Sequence, residues 1–139
     1  MTKEEKDLLL KDLCARLPYR VVVDYAHNAF ALHKGLYLKS GSKNILTCYL
    51  LDTFISPRQN EEGEYIKPYL FPISSMTEEQ YKEFYDKYCW NDGGDNFEMD
   101  SCSHYYALEK FDWLNKNHFD YRGLIPMGLA NDATNLNIY

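Results

Sequence analysis

The stretch Met76-Thr77-Glu78-Glu79-Gln80-Tyr81 constrains the fold more than any other, because it carries the signals of a helix start all at once. Thr77 stands as N-cap with Gln80 three residues on, so each side chain can satisfy the other's backbone N–H; Met76 and Tyr81 flank them as a hydrophobic staple. Tyr81, Phe84, Tyr85 and Tyr88 then recur at i, i+3, i+4 and i+7, one aromatic stripe. Asn91-Asp92-Gly93-Gly94-Asp95 ends the helix and turns the chain. Just upstream, Tyr65-Ile66-Lys67-Pro68-Tyr69-Leu70-Phe71-Pro72 has two prolines four apart. They hold the backbone extended and remove two donors, which implies an edge strand or a polyproline-II strap across the core.

The flanks add to both element types. Thr2-x-x-Glu5 is a second capping box, and Leu10, Leu13, Cys14 and Leu17 give the first helix an apolar face before Pro18 stops it. Arg16 and Arg20 fall at its C-terminal end, where the dipole favours cations. Residues 19–56 read as strands: Val21-Val22-Val23, then residues 35–38, then residues 44–55. The last run is apolar on both alternating faces, as in a strand covered on both sides. A buried helix is the competing reading, which Thr47 and Thr53 disfavour. A third helix spans about residues 105–116 with Leu108, Phe111 and Leu114 on one side; beyond His118, Gly123, Pro126 and Gly128 keep the chain irregular. The expectation is one α+β domain over residues 1–139, a small antiparallel sheet or partly open barrel packed by about three helices.

A length of 139 residues suits a single core, since a domain of this size buries roughly two-thirds of its unfolded surface. The charged start, Met1-Thr2-Lys3-Glu4-Glu5, has no apolar leader, and no apolar run is long enough to span a bilayer. A cytoplasmic protein is expected, and with it free thiols at Cys14, Cys48, Cys89 and Cys102. Net charge is −6, and it is uneven: residues 1–60 carry nine Lys/Arg against six Asp/Glu, residues 61–139 six against fifteen. The acidic half repels phosphate, so direct nucleic-acid binding is disfavoured.

Candidate chemistry is sparse. Cys89, Cys102 and His104 lack the paired spacing of a zinc site, and the cluster Asp92, Asp95, Asn96, Glu98, Asp100 does not fit a calcium loop. Neither a metal nor a cofactor is therefore expected. His27, His33, His104 and His118 could act as bases, but no nucleophile elbow or phosphate loop accompanies them, and Cys14 and Cys48 read as quiet core thiols. His118 is more simply a cap favoured by a helix dipole. Thirteen tyrosines exceed what a core of this size can pair, so some are exposed, as on a protein-binding surface.

Three stretches carry a resemblance. They are Leu8-Leu9-Leu10-Lys11-Asp12-Leu13-Cys14-Ala15-Arg16-Leu17-Pro18-Tyr19, the run from Lys67-Pro68-Tyr69-Leu70-Phe71-Pro72 through Ser75-Met76-Thr77-Glu78-Glu79, and His118-Phe119-Asp120-Tyr121-Arg122-Gly123-Leu124-Ile125-Pro126-Met127-Gly128-Leu129-Ala130. Together they resemble a family of short uncharacterised proteins of gut anaerobic bacteria, their prophages and phages. The resemblance implies a compact accessory protein that works by binding another protein; the many tyrosines, the acidic second half and the absence of a catalytic signature lead to the same expectation, a non-enzymatic protein-binding module, with inhibition of a host factor as one use. The residues proposed for binding are Asp92, Asp95, Glu98 and Asp100 in the acidic loop, and His118, Asp120, Tyr121 and Arg122 in the third stretch, where Arg122 is expected to pair with Asp120 or a carboxylate at the core edge. A small His/Cys-dependent hydrolase or metalloenzyme and an acidic nucleic-acid mimic are the alternatives.

Overall fold

The computed structural model describes residues 2–27, 43–55, 64–88 and 107–139. Its elements in chain order are α1 (Lys3–Arg16), a 3-10 turn (Leu17–Tyr19), β1 (Val22–His27), β2 (Lys43–Ile45), α2 (Cys48–Ile55), β3 (Glu64–Pro72), a second 3-10 turn (Ile73–Ser75), α3 (Glu78–Tyr88), α4 (Ala107–Lys116), β4 (Phe119–Asp120) and β5 (Asn131–Asp132). The fold is α+β, as expected, but the five-stranded sheet is mixed rather than antiparallel and is not closed, and the described residues form four α-helices rather than about three.

Both capping boxes form. Thr2 Oγ1 accepts from Glu5 N at 3.1 Å while Glu5 accepts from Thr2 N at 2.7 Å. Thr77 and Gln80 make the same exchange at 3.1 and 3.0 Å. Two four-residue words thus fix where α1 and α3 begin.

β3 organises the sheet. Its first half pairs antiparallel with β1, ending at Val23 opposite Pro68. Its second half pairs parallel with β5 at Tyr69 and Leu70, and with β4 at Phe71 and Pro72. β2 adds antiparallel to the far edge of β1. The Tyr65–Pro72 segment is therefore not an edge strand or a strap but the centre of the sheet. The ladders explain why prolines are tolerated there. Each partner covers only part of β3, so Pro68, which offers no N–H, lies where β1 is its one ladder neighbour.

Residues 44–55 are not one long strand. β2 stops at Ile45, and Thr47 then caps α2, with its Oγ1 accepting from Leu50 N at 3.2 Å and its carbonyl from Leu51 N at 3.0 Å. The threonine that read as a strand former acts through its hydroxyl as a helix start. The strand expected over residues 35–38 lies outside the described residues.

Two cores result. Leu9 and Leu13 of α1 pack on Val21, Val23, Leu46, Leu51, Ile66, Leu70 and Leu124. Phe84, Trp113, Leu114 and Phe119 form an aromatic core between α3 and α4, flanked by the half-buried Tyr85 and Tyr88. The buried stripe of α1 is Leu9, Asp12, Leu13 and Arg16; of the expected stripe Leu10, Leu13, Cys14 and Leu17, Leu13 is fully buried, Leu10 and Leu17 pack half-buried at the core's edge, and Cys14 is exposed. The unbroken Leu8-Leu9-Leu10 leaves the phase open, and the pairing of Asp12 with Arg16 turns a polar pair inward. Cys14 and Cys48 are consequently exposed free thiols rather than core residues. α4 is turned likewise: Trp113 and Leu114 face in, while Leu108 is 79% and Phe111 36% exposed.

Candidate functional site

The outward turn of α1 and α4 creates a groove between them. Leu8, Lys11 and Ala15 supply one wall at i, i+3 and i+7; Phe111 and Asn115 supply the other at i, i+4; Tyr121 and Arg122, just past β4, are at its floor. The groove encloses about 640 Å³.

Its floor is built on a buried ion cluster. Asp12, fully buried, accepts from Arg16 Nε at 2.7 Å through Oδ2 and from Arg122 Nε at 3.1 Å through Oδ1. Arg16 is also fully buried, and its Nη2 donates to the Phe119 carbonyl at 2.7 Å, tying α1 to β4. Arg122 Nη2 donates to Tyr121 Oη at 3.1 Å, and that hydroxyl donates to Asn115 Oδ1 at 3.1 Å. The Tyr121 ring lies 4.8 Å from the Arg122 guanidinium carbon and 5.4 Å from that of Arg16, within cation–π range. Phe111 leans on the same ring at 5.1 Å. One carboxylate therefore holds two arginines, one buried and one whose side chain keeps 21% exposure in the groove.

The four expected binding residues of the third stretch separate. Tyr121 and Arg122 reach the groove. Asp120 does not pair with Arg122; its carboxylate accepts from Leu124 N at 2.9 Å and Ile125 N at 2.8 Å and fixes the turn after β4. His118 is buried at a left-handed φ of 62° at the end of α4, its ring stacked on Tyr139 at 3.7 Å and 13°. It is not a charged helix cap: burial, together with the Arg16 charge, pulls its pKa down to about 4. Asp92, Asp95, Glu98 and Asp100 lie outside the described residues, as do Cys89, Cys102 and His104. Among the described residues no group of three His, Cys, Asp or Glu could hold a metal ion.

Tyr139 completes this side of the molecule. Its hydroxyl accepts from Val22 N at 2.9 Å and donates to Tyr69 O at 2.8 Å. Val22 and Tyr69 are the pair just beyond Val23 and Pro68, so the phenol bridges β1 and β3 where their ladder stops. Burial raises its pKa to about 12.

A second concavity, about 390 Å³, involves Tyr19, Glu83, Lys87, Asp112 and Trp113. Within it Glu83 accepts from Lys87 at 3.0 Å and from Trp113 Nε1 at 3.2 Å, and Asp112 raises the Tyr19 pKa after the larger effect of burial.

Sequence reasoning missed Lys11, Asp12, Arg16, Phe111, Asn115 and Tyr139. One signal was present: Asp12 and Arg16 stand at i, i+4 inside a leucine-rich helix, where an opposite pair can be buried together. Comparisons with protein-family models, with curated proteins and with solved structures gave no match.

Proposed function

We propose that this chain is a protein-binding module whose α1–α4 groove docks a peptide segment carrying a carboxylate next to an aromatic or aliphatic side chain. The observation that carries the reading is the pre-positioned Arg122. Asp12 and Tyr121 already fix its guanidinium, so a ligand carboxylate meets an ordered donor and need not freeze a flexible side chain. Lys11 on the exposed wall adds a second cation for steering. Phe111, Leu8 and Ala15 provide the apolar contact, and Leu108, one turn before Phe111 on α4, extends that face. An exposed aromatic beside an anchored arginine is the composition of binding hot spots. The three-stretch resemblance to short phage and prophage proteins supports a host protein as the source of the segment, with inhibition as the outcome.

Panning a displayed random-peptide library on the full chain tests this. The expected enrichment is Asp or Glu beside Trp, Phe or Leu. Lys11→Glu and Phe111→Ser should each weaken the selected peptides at least about tenfold, a loss near 1.4 kcal/mol, while thermal unfolding stays close to wild type. No enrichment, or peptides that bind both variants as tightly as wild type, would reject the groove. Enriched basic peptides would point instead to an acidic docking face.

A further inference from the structure

We propose that the gap between β1 and β4 along β3 is a tyrosine-recognition slot, filled in this structure by the chain's own Tyr139 and able to exchange it for the tyrosine of another segment. The slot begins where the β1–β3 ladder stops, at Val23 opposite Pro68. At the next pair the Tyr139 hydroxyl stands between the strands, accepting from Val22 N at 2.9 Å and donating to Tyr69 O at 2.8 Å. Two residues further along β3, Phe71 N donates at 2.8 Å to the carbonyl of His118, the residue that leads into β4. Residues two apart on a strand turn their backbone groups to one edge, so the phenol sits between the two neighbours of that edge. Its ring has a surface of its own: the His118 imidazole lies 3.7 Å away at 13°, and Phe71 lies 5.8 Å away at 54°. Burial keeps the imidazole neutral, with a pKa of about 4, so the phenol meets a flat aromatic face rather than a cation.

The chemistry of the slot selects tyrosine. An N–H and a C=O meet at one point, and among ring side chains tyrosine alone ends in a single atom that both accepts and donates. Phenylalanine would leave both backbone groups unpaired, and a tryptophan N–H could only donate. The strap that delivers Tyr139 is built to come away. Ala133 N is tied to Leu70 O at 2.8 Å, but residues 134–137 are exposed. Asn135 and Asn137 hold left-handed φ values of 63° and 51°, and His118, against the ring, holds 62°. Left-handed residues other than glycine persist where surrounding contacts enforce them, and they gather at clamps and switches. Tyr139 itself keeps 46% exposure, so an incoming side chain need not cross the core to replace it. Residues 134–139 belong to no helix or strand, and lifting them leaves the sheet ladders in place. The slot shares no residue with the α1–α4 groove, so either stands if the other fails.

Tyr139→Ala in the full 15N-labelled chain empties the slot. Titration with a blocked peptide of residues 134–139 should give saturable shifts at Val22, Phe71 and His118. The same peptide with Phe in place of its tyrosine should bind at least about tenfold more weakly, and the wild-type chain, in which Tyr139 competes, should bind the tyrosine peptide at least about tenfold more weakly than the variant does. No saturable shift in the folded variant, equal binding of the Phe peptide, or equal binding by wild type would overturn the slot. Native-state amide exchange on the wild-type chain tests release of the strap without any variant. Val22 should exchange through an opening insensitive to low urea, while the buried Leu13 and Ile66 exchange only through urea-dependent unfolding. A Val22 amide that follows Leu13 and Ile66 would show that Tyr139 does not exchange in the native state, and the proposal would fall.

Discussion

Asp12→Ala is the substitution with the largest expected cost. Asp12 is fully buried and takes one bond each from Arg16 and Arg122. Its removal leaves Arg16, itself fully buried, with the Phe119 carbonyl as its remaining acceptor. Breaking a buried pair in this way costs about 3–5 kcal/mol, because the surviving charge stays desolvated. Typical domains hold only about 5–15 kcal/mol in total. Urea titration followed by circular dichroism should therefore show a midpoint well below wild type, and Tm should fall by on the order of 10 °C. Asp12→Asn keeps one acceptor oxygen and should lose less. The double variant Asp12→Ala/Arg16→Met removes both charges, so its loss should be smaller than the sum of the two single losses by about 1–3 kcal/mol. A cost under about 1 kcal/mol for Asp12→Ala, or simple additivity in the cycle, would refute the view that this carboxylate organises the groove floor.

Other outcomes follow from single contacts. His118 has a folded pKa of about 4 against an ordinary 6.5. The unfolded chain therefore binds the proton more readily between those values, and the stability His118 contributes is full above about pH 6.5 and lost as pH falls toward 4, up to roughly 3 kcal/mol. Denaturation midpoints at pH 7, 5.5 and 4 should fall more for wild type than for His118→Phe, and parallel curves would contradict this. Tyr139→Phe leaves Val22 N–H and Tyr69 C=O unbridged and should cost about 1–3 kcal/mol; amide exchange at Val22 should quicken, and unchanged exchange would remove the bridge from consideration. Thr77→Ala deletes an N-cap and should cost about 1 kcal/mol, read as a lower Tm. Cys14 and Cys48 should react with a thiol reagent in the folded protein, mapped by peptide mass spectrometry; protection of both until unfolding would contradict their exposure.

What was legible in the sequence divides by range. Thr2 with Glu5 and Thr77 with Gln80 act across four residues, so both helix starts could be read directly. The aromatic stripe of α3 was equally plain, and Phe84 is fully buried. Facing was harder. In α1 three consecutive leucines allow several phases, and the actual one is set by Asp12 reaching Arg122, 110 residues away. In α4 the large apolar Leu108 and Phe111 stay outside because Trp113 and Leu114 fill the space against Phe84 and Phe119. The prolines of β3 suggested an edge, since local chemistry cannot show that three different strands share one strand between them. Tyr121 and Arg122 stood out in the sequence, but their hydrogen-bond partners Asn115 and Asp12 are brought in only by the fold.

The most direct test of the groove is a backbone amide titration. 15N-labelled chain is titrated with the acidic-aromatic peptide that panning ranks highest, at low and at raised ionic strength. The expected result is saturable shifts centred on Leu8, Lys11, Ala15, Phe111, Asn115, Tyr121 and Arg122, with affinity reduced by salt because Lys11 is exposed and screened within about 8–10 Å. Shifts centred instead on Tyr19, Glu83 and Asp112, or no saturable shift at any residue, would contradict the proposed docking face.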